Sequence, residues 1–285
     1  MFMERYKEIE RSIITRYRKS LWSKFLDGIN KYELISPGDK IAVCISGGKD
    51  SMLLAKLMQE YVRHIDSSVT VRYISMDPGY SEVNRQIIEE NSKLMGIPIE
   101  IFDSDVFEVV EENDANQCFL CARMRRGFLY GTAQSLGCNK IALGHHFDDV
   151  IETVLMSMLY GGQLQSMMPK LRSKNFEGIE LIRPMFLIKE RDIITFSEYN
   201  DLHFINCACS RVKLKESGEL RSARSDIKDM IEKLRSDIPN VEYNIFKSVH
   251  DVNIDEIIGF HNDGRTINEP FNKYYKDKKA YNKNM

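Results

Sequence analysis

The six residues SGGKDS combine the features needed to hold a phosphate group. Two adjacent glycines let the backbone approach an anion closely, and a helix start supplies unbonded amide donors and a positive dipole end. A lysine adds charge and two serines add hydroxyl groups. The spacing differs from the GxxxxGK(S/T) loop. A plain glycine turn capped by Ser and Asp is the alternative reading. The predicted phosphate-binding residues are Ser46, Gly47, Gly48, Lys49, Asp50 and Ser51.

A second segment with chemical potential is GHHFDD, which again stands between a predicted strand and a predicted helix. Paired carboxylates at a helix start cap the helix, bind Mg²⁺ or orient a nucleotide. Capping alone is the alternative reading when the segment is taken in isolation. Asp77, which follows another predicted strand, is a weaker candidate for contacting the nucleoside. The residues predicted to contact a nucleotide here are Gly144, His145, Asp148 and Asp149.

Four of the six cysteines form two close pairs. Cys118 and Cys121 have the CxxC spacing that puts two thiolates on one metal, and Cys207 and Cys209 follow some 85 residues later. A redox pair, a zinc site and an iron–sulfur site all remain open on this spacing. Four thiolates would close a zinc site, whereas three would leave an open metal position. The other two cysteines, Cys44 and Cys138, are predicted to be packing residues.

The elements that must position these residues alternate regularly between strand and helix. A short apolar run at 40–45 predicts a buried strand that feeds the SGGKDS loop. Continuous apolar strands separated by helices are typical of a parallel sheet covered on both faces, which binds ligands at the carboxyl ends of its strands. The further predicted helices are 50–63, 81–95, 122–136, 147–160 and 188–200, and the strands are 69–76, 98–102 and 139–143.

We predict an α/β chain with a doubly wound parallel sheet, an N-terminal helix and a small helical C-terminal appendage. Residues 6–30 have apolar side chains at helical spacing with basic residues between them. The strand pattern stops near residue 205, and the last stretch lacks useful periodicity. The predicted divisions are 1–37 for a basic amphipathic N-terminal helix, 38–205 for the nucleotide-binding domain, 206–270 for the helical appendage and 271–285 for a mobile tail.

Composition excludes several classes of protein. The chain has 40 Lys and Arg against 42 Asp and Glu, so it is not a polycation, and any nucleic acid must be bound by a local basic patch. No apolar run reaches the roughly 20 residues that a membrane span needs, and the charged start does not suit a signal peptide. We therefore expect a cytoplasmic protein with no membrane association, in a compartment where paired cysteines bind metal or act in redox chemistry.

The motifs together resemble a known family. SGGKDS resembles the PP-loop of the ATP pyrophosphatases. The run from CFLCARMRRGFLYGTAQSLGCNKIALGHHFDDV to LYGG, followed by MMPKL and IRPMFLIKERDI, is similar to the signature of the tRNA 2-thiocytidine biosynthesis proteins. The resemblance covers roughly residues 25 to 250. It implies a fold of the PP-loop ATP pyrophosphatase type (adenine nucleotide alpha hydrolase, HUP-like).

The resemblance also implies an activity. ATP, with Mg²⁺, would adenylate the C2 carbonyl oxygen of an anticodon-loop cytidine in tRNA, and sulfide carried on a 4Fe-4S cluster would then displace AMP to give 2-thiocytidine. A cysteine desulfurase as sulfur donor and a homodimer are the further expected partners. Lys49, Asp149 and Arg125 are the predicted catalytic residues, and Arg123 and Arg126 accompany Arg125 as candidates for contacting RNA phosphate or the base carbonyl.

The third cluster ligand is where this chain departs from the family pattern. Cys118 and Cys121 match the family's first pair, but Asn206-Cys207-Ala208-Cys209 is one residue shorter than the usual Pro-Cys-x-x-Cys and lacks the proline. We expect Cys209 as the third ligand, with Cys207 as the alternative. Zinc in place of the cluster stays open. So do 2-thiouridine as product, a PP-loop amidotransferase or synthetase with structural zinc, and a non-catalytic nucleotide- or RNA-binding module.

Overall fold

The structure, a computed structural model, describes residues 2–106, 117–205, 222–262, 265–267 and 271–272. Its centre is a six-stranded sheet in the order β3-β2-β1-β4-β6-β5. The first five strands in that order are parallel, and β5 pairs antiparallel at the edge. The strands are β1 Lys40–Ile45, β2 Thr70–Asp77, β3 Ile99–Asp103, β4 Lys140–Ala142, β5 Lys170–Arg172 and β6 Glu180–Ile182.

Helices surround this sheet, and among those that the structure describes three connect consecutive parallel strands. This arrangement confirms the predicted fold class. The helices are α1 Phe2–Ile14, α2 Ser23–Lys31, α3 Lys49–His64, α4 Glu82–Met95, α5 Gln117–Ser135, α6 Phe147–Gly161, α7 Glu190–Tyr199, α8 Ala223–Asp237 and α9 Val241–Ser248, with a π-helical turn at Arg18–Trp22 and a 3-10 turn at Ile254–Glu256.

The central strand β1 is buried on both faces because its alternating side chains enter two different cores. Ile41, Val43 and Ile45 pack in the larger core with α3 and the N-terminal helices. Ala42 and Cys44 point to the other face, where α5 covers them. Cys44 and Cys138 are both buried there, as expected of packing cysteines. Double burial explains why β1 is a continuous apolar run.

The N-terminal segment differs from the single helix predicted over 6–30. The helix is interrupted after Ile14, and Tyr17 has a φ of −97° and a ψ of 16°. The β-branched run Ile13-Ile14-Thr15 has low helix propensity. The interruption also turns Tyr17 inward, where its hydroxyl donates to the carbonyl of Thr195 at 2.8 Å. Tertiary packing therefore decided this break.

The C-terminal appendage is helical where α8 and α9 pack on α6. Ile227, Ile231 and Phe246 join Phe147 and Ile151 in a third core. The structure adds one element that the sequence pattern did not predict, a two-stranded antiparallel hairpin at Phe260–Asn262 and Arg265–Ile267. The predicted tail at 271–285 lies outside the described residues except for 271–272. The three boundaries between the four predicted divisions remain predictions.

The short strands β5 and β6 also escaped prediction, because three residues are too few to establish a periodic pattern. Among the helices that the structure describes, none is both long and apolar enough to cross a membrane.

Candidate functional site

The predicted phosphate loop forms the turn between β1 and α3. Gly47 has a φ of +81°, a left-handed conformation that favours glycine. A Cβ on Gly47 would lie 2.6 Å from Ile88 Cγ1 and 2.8 Å from Ile205 Cδ1. The Ser51 hydroxyl donates to the Gly48 carbonyl at 3.0 Å and accepts from the amide of Ser46 at 3.1 Å. The loop is thus tightly packed, with the start of α3 beneath it.

The second predicted segment meets this loop at very short range. A Cβ on Gly144 would lie 3.0 Å from the Asp50 carbonyl carbon and 3.1 Å from the Ser51 nitrogen. Only a glycine lets the β4–α6 turn approach the backbone so closely. Asp149 closes the turn by accepting a hydrogen bond from the His146 amide at 3.0 Å. Asp149 therefore caps the start of α6, and this hydrogen bond holds its carboxylate at the sheet edge.

A cavity of about 440 Å³ opens where these turns meet the helix that carries Cys118 and Cys121. We call it the sheet-edge cavity. Residues at the ends of β1 and β4 and in the third turn of α5 line it. It brings together seven of the predicted site residues. They are Ser46, Asp50, Ser51, Gly144, His145, Asp149 and Arg125, and Arg126 and Arg224 also line it.

Lys49 lies on the other side of the phosphate loop. Together with Gly48 and Asp50 it lines a second cavity of about 470 Å³ against α7. Its ammonium group lies 3.0 Å from Glu190 Oε1 and 3.1 Å from Asp50. Burial by itself lowers the pKa of Lys49, but the carboxylates of Asp50 and Glu190 outweigh burial and raise it. Lys49 is therefore positively charged, and its ammonium group is paired with the carboxylates of Asp50 and Glu190 in this structure.

Glu190 links the phosphate loop to the C-terminal appendage. Its second oxygen lies 3.1 Å from Lys228 of α8. Burial by itself raises the pKa of Glu190, but Lys49 and Lys228 hold it at about 2. On the same helix, Arg224 lies 3.1 Å from Glu152 and 3.6 Å from Asp149. Cations of α8 thus neutralise the carboxylates at the start of α6 and α7.

Two predicted ligands are engaged within the protein. Asp77 accepts from the amides of Gly79 and Tyr80 at 2.9 and 2.7 Å, and it pairs with Arg85 at 3.1 Å. Asp148 accepts from the amide of Glu190 at 2.7 Å, and its other oxygen lies 3.0 Å from Arg235. Neither lines the sheet-edge cavity. Their predicted contacts with a nucleotide stay predictions.

His145 lines the sheet-edge cavity and interacts electrostatically with the buried Arg183. Burial, and after it the charge of Arg183, lower the pKa of His145 to about 4. Burial also lowers the pKa of Arg183 to about 10. Among the described residues, His145 Nδ1 and Arg183 Nε have no hydrogen-bond partner. Unsatisfied buried donors and acceptors of this kind suit a site that binds a polar ligand.

The cysteines are described only in part. Cys118 and Cys121 stand three residues apart in the first turns of α5, and such positions share one helix face. Cys121 is half-buried and packs beside Met76 and Val106. Cys207 and Cys209 lie outside the described residues. Within the described side chains, no three His, Cys, Asp or Glu are grouped to hold a metal.

Sequence reasoning missed Glu190, Arg224 and Lys228. Each belongs to an ordinary charged position of a helix, and their partners are distant in sequence. Glu190 and Lys49, for example, are 141 residues apart. No local motif marks such a residue, because only helix packing brings the charges together. The IKER segment around Glu190 was part of the family resemblance, but Glu190 itself carried no assigned role.

Comparison with known proteins agrees with this geometry. The sequence model of the PP-loop domain matches residues 18–213, which include both turns and α5. The chain belongs to the PP-loop family.

Among proteins of known name, this PP-loop chain is similar to tRNA-cytidine(32) 2-sulfurtransferases. It is 35% identical to that of Alcanivorax borkumensis over 85% of this chain and 84% of the relative. It is 34% identical to that of Geotalea uraniireducens over 86% and 94%. Such identity and coverage put the chain in the same family and confirm the predicted resemblance. With the Neisseria meningitidis serogroup C relative the identity is 40%, over 64% of this chain, but the match spans only 57% of that relative's length.

A solved structure shares the fold. The U34-tRNA thiolase NcsA of Methanococcus maripaludis, determined with its 4Fe-4S cluster, superposes with a TM-score of 0.63. The match covers 80% of this PP-loop chain and 76% of the thiolase, at 22% identity. It supports the same arrangement of sheet and helices.

Proposed function

We propose that this protein is an ATP-dependent tRNA sulfurtransferase that converts a cytidine of the anticodon loop to 2-thiocytidine. The observation that carries the proposal is the sheet-edge cavity, which joins the phosphate loop, Asp149 and Arg125 beside the helix of Cys118 and Cys121. The names of the sulfurtransferase relatives supply the substrate. The base C2 carbonyl oxygen attacks the α-phosphate of ATP, and pyrophosphate leaves. A sulfur nucleophile then adds at C2, and AMP departs with the oxygen.

The chain's own residues have distinct roles in this reaction. The amides at the start of α3 and the Ser46 and Ser51 hydroxyls hold the phosphates, and Lys49 neutralises charge on the leaving pyrophosphate. Mg²⁺ accompanies the nucleotide, and the carboxylates of Asp50 and Asp149 are the hard oxygen ligands that line the cavity. Arg125 offers a planar charged group to the activated base or its phosphate.

An iron–sulfur cluster suits the donor set at this edge. Two cysteine positions three residues apart in the first turns of α5 match the CxxC half of such a site, and Cys121 packs against apolar Met76 and Val106. Cys118, Cys121 and Cys209 would hold the cluster, with Cys207 as the alternative third ligand. When bound with one position open, the group supplies sulfide. A cysteine desulfurase delivers the sulfur, and the protein acts in the cytoplasm as a homodimer.

Analysis of tRNA nucleosides tests the function. Purified wild-type protein, ATP, a sulfide source and tRNA from a strain that lacks the gene are expected to yield 2-thiocytidine by mass spectrometry. Lys49→Ala is expected to lose pyrophosphate release and thiolation, because the leaving phosphates lose their positive partner. Lys93→Ala, an exposed lysine on α4, is the matched control. Normal pyrophosphate release by Lys49→Ala contradicts the role of the loop, and 2-thiouridine as sole product contradicts the choice of base.

Metal analysis tests the cysteines. Anaerobically purified protein is expected to be brown and to contain iron and acid-labile sulfide. Cys121→Ser and Cys209→Ser are expected to lose both, whereas Cys138→Ser, at a packing position, keeps them. Loss of the cluster in Cys207→Ser with retention in Cys209→Ser would reverse the choice of third ligand. A colourless zinc protein would overturn the cluster.

A further inference from the structure

We infer that the outer face of the N-terminal helices is a docking surface for the phosphate backbone of tRNA, beyond the reacting base. The inference rests on the proposed function, because it extends the contact with that substrate. The N-terminal basic surface consists of seven exposed cations on α1, the π-helical turn, α2 and the joint between them. They are Lys7, Arg11, Arg16, Arg18, Lys19, Lys24 and Lys31.

The charge of this surface is not balanced locally. Residues 1–31 contain eight Lys and Arg against four Asp and Glu, although the whole chain has a net charge of −2. Within the part of the chain that the structure describes, no carboxylate lies within 4.0 Å of these seven cations. Arg63, Arg85 and Arg235, by contrast, each pair with two or more carboxylates. Seven exposed cations without a carboxylate partner in one N-terminal segment create a positive potential that attracts a polyanion.

The apolar side of the same helices excludes a lipid surface as the partner. Ile9, Ile13, Leu21, Trp22 and Phe25 are all buried in the main core. No large apolar side chain is exposed between residues 5 and 34. A helix that lies on a membrane must present an apolar face to it. The apolar faces of these helices are buried in the main core. What remains outside is charged and polar, which suits phosphate contacts that position a nucleic acid without reading its bases.

The surface is continuous with the catalytic edge through α7. The near end of α7 carries Glu190, which holds Lys49, and the far end carries Tyr199. The guanidinium of Arg16 lies 4.3 Å from the centre of the Tyr199 ring. A ten-residue helix is about 15 Å long. The cations therefore begin about one helix length from Glu190, which contacts Lys49 of the phosphate loop.

Binding measurements on matched triple variants test the surface. In Arg11→Gln/Arg18→Gln/Lys19→Gln none of the altered side chains has a hydrogen-bond, ion-pair or ring contact among those the structure describes, so the fold is expected to be retained. The control is Lys40→Gln/Lys93→Gln/Lys233→Gln, three exposed lysines on β1, α4 and α8. The probe is a tRNA transcript with a cytidine at position 32, titrated at several salt concentrations, with ATP affinity measured in parallel.

We expect the N-terminal triple to bind tRNA at least about tenfold more weakly near 100 mM salt, with the slope of log K against log salt reduced by about 3. The KM for tRNA is expected to rise while kcat and ATP affinity stay unchanged. Wild-type affinity and slope in this triple, or an equal loss in the control triple, would overturn the inference while the proposed function stands. Lack of tRNA binding by the wild type would overturn both. A loss confined to binding of phosphatidylserine vesicles would assign the surface to lipid instead.

Discussion

At the scale of single residues, the chemical type of a side chain is read from the sequence, whereas the groups that it contacts depend on the fold. The Gly-Gly-Lys order predicts that Lys49, at the start of α3, binds phosphate. The structure nevertheless turns its ammonium group toward Glu190, away from the cavity that holds Asp149 and Arg125. Glu190, 141 positions later in the chain, therefore determines where the ammonium group of Lys49 lies before a nucleotide binds. Lys49 must leave this carboxylate to reach a phosphate in the sheet-edge cavity.

His145 makes stability depend on pH in a defined direction. Burial lowers its pKa to about 4, whereas the ordinary value in an unfolded chain is about 6.5. Between those values the unfolded chain binds more protons than the folded one, so stability is lost as pH falls. We expect His145 to contribute about 2 kcal/mol to the loss between pH 7.5 and 5.

Urea denaturation at the two pH values measures this effect. His145→Gln is expected to show a smaller loss of stability than the wild type, and His203→Gln, whose side chain is 88% exposed, is expected to behave like the wild type. An NMR titration of His145 with a midpoint above pH 6 would contradict the assignment.

At the scale of elements, the site depends on how closely two strand–helix turns approach each other. Each turn was predicted from its own sequence, and the parallel sheet order predicts that both lie at one edge. Their separation was not predictable, since it depends on the stagger of β1 against β4 and on the packing of α3 and α6. In the structure, Gly144 touches the backbone of Asp50 and Ser51.

Gly144→Ala tests this contact. A methyl group 3.0 Å from the Asp50 carbonyl carbon must push the phosphate loop aside. We expect ATP affinity to fall about tenfold, which corresponds to about 1.4 kcal/mol, with little change in thermal stability. Gly161→Ala is the matched control, because that glycine has no atom within 4 Å of an added Cβ. Calorimetric titration with ATP gives the comparison, and unchanged affinity in Gly144→Ala would show that the contact does not shape the loop.

At the scale of the whole molecule, the N-terminal helices join the main domain through a buried charge network. Lys56 of α3 is fully buried and donates to Glu10 of α1 at 2.7 Å and to Gln59 at 2.8 Å. Arg63 reaches Glu10 and the buried Glu60 at 2.8 and 2.9 Å. Burial by itself lowers the pKa of Lys56, although Glu10 opposes the shift. The network holds α1 in register on α3 while its basic face stays outside.

Lys56→Met is expected to destabilise the protein by about 3 kcal/mol, because it leaves buried carboxylates without their main partner. Lys56→Met/Glu10→Gln is expected to recover part of the loss, since one uncompensated charge is removed with it. Lys93→Met, on the exposed face of α4, is the control. Urea denaturation measures all three. Wild-type stability in Lys56→Met would show that the network does not couple α1 to the sheet.

The sequence by itself determined the doubly wound sheet, the phosphate loop and the carboxylate turn, because apolar runs, helical periodicity and glycine placement are local properties. Tertiary structure decided the inward turn of Tyr17, the antiparallel edge strand and the pairing of Lys49 with Glu190. It also decided which cations were neutralised: Arg224 and Lys228 on α8 meet carboxylates, whereas Arg18 and Lys19 do not. The physical reason is that charge pairing depends on distances between elements far apart in the chain, which packing of their apolar faces sets and no local pattern encodes.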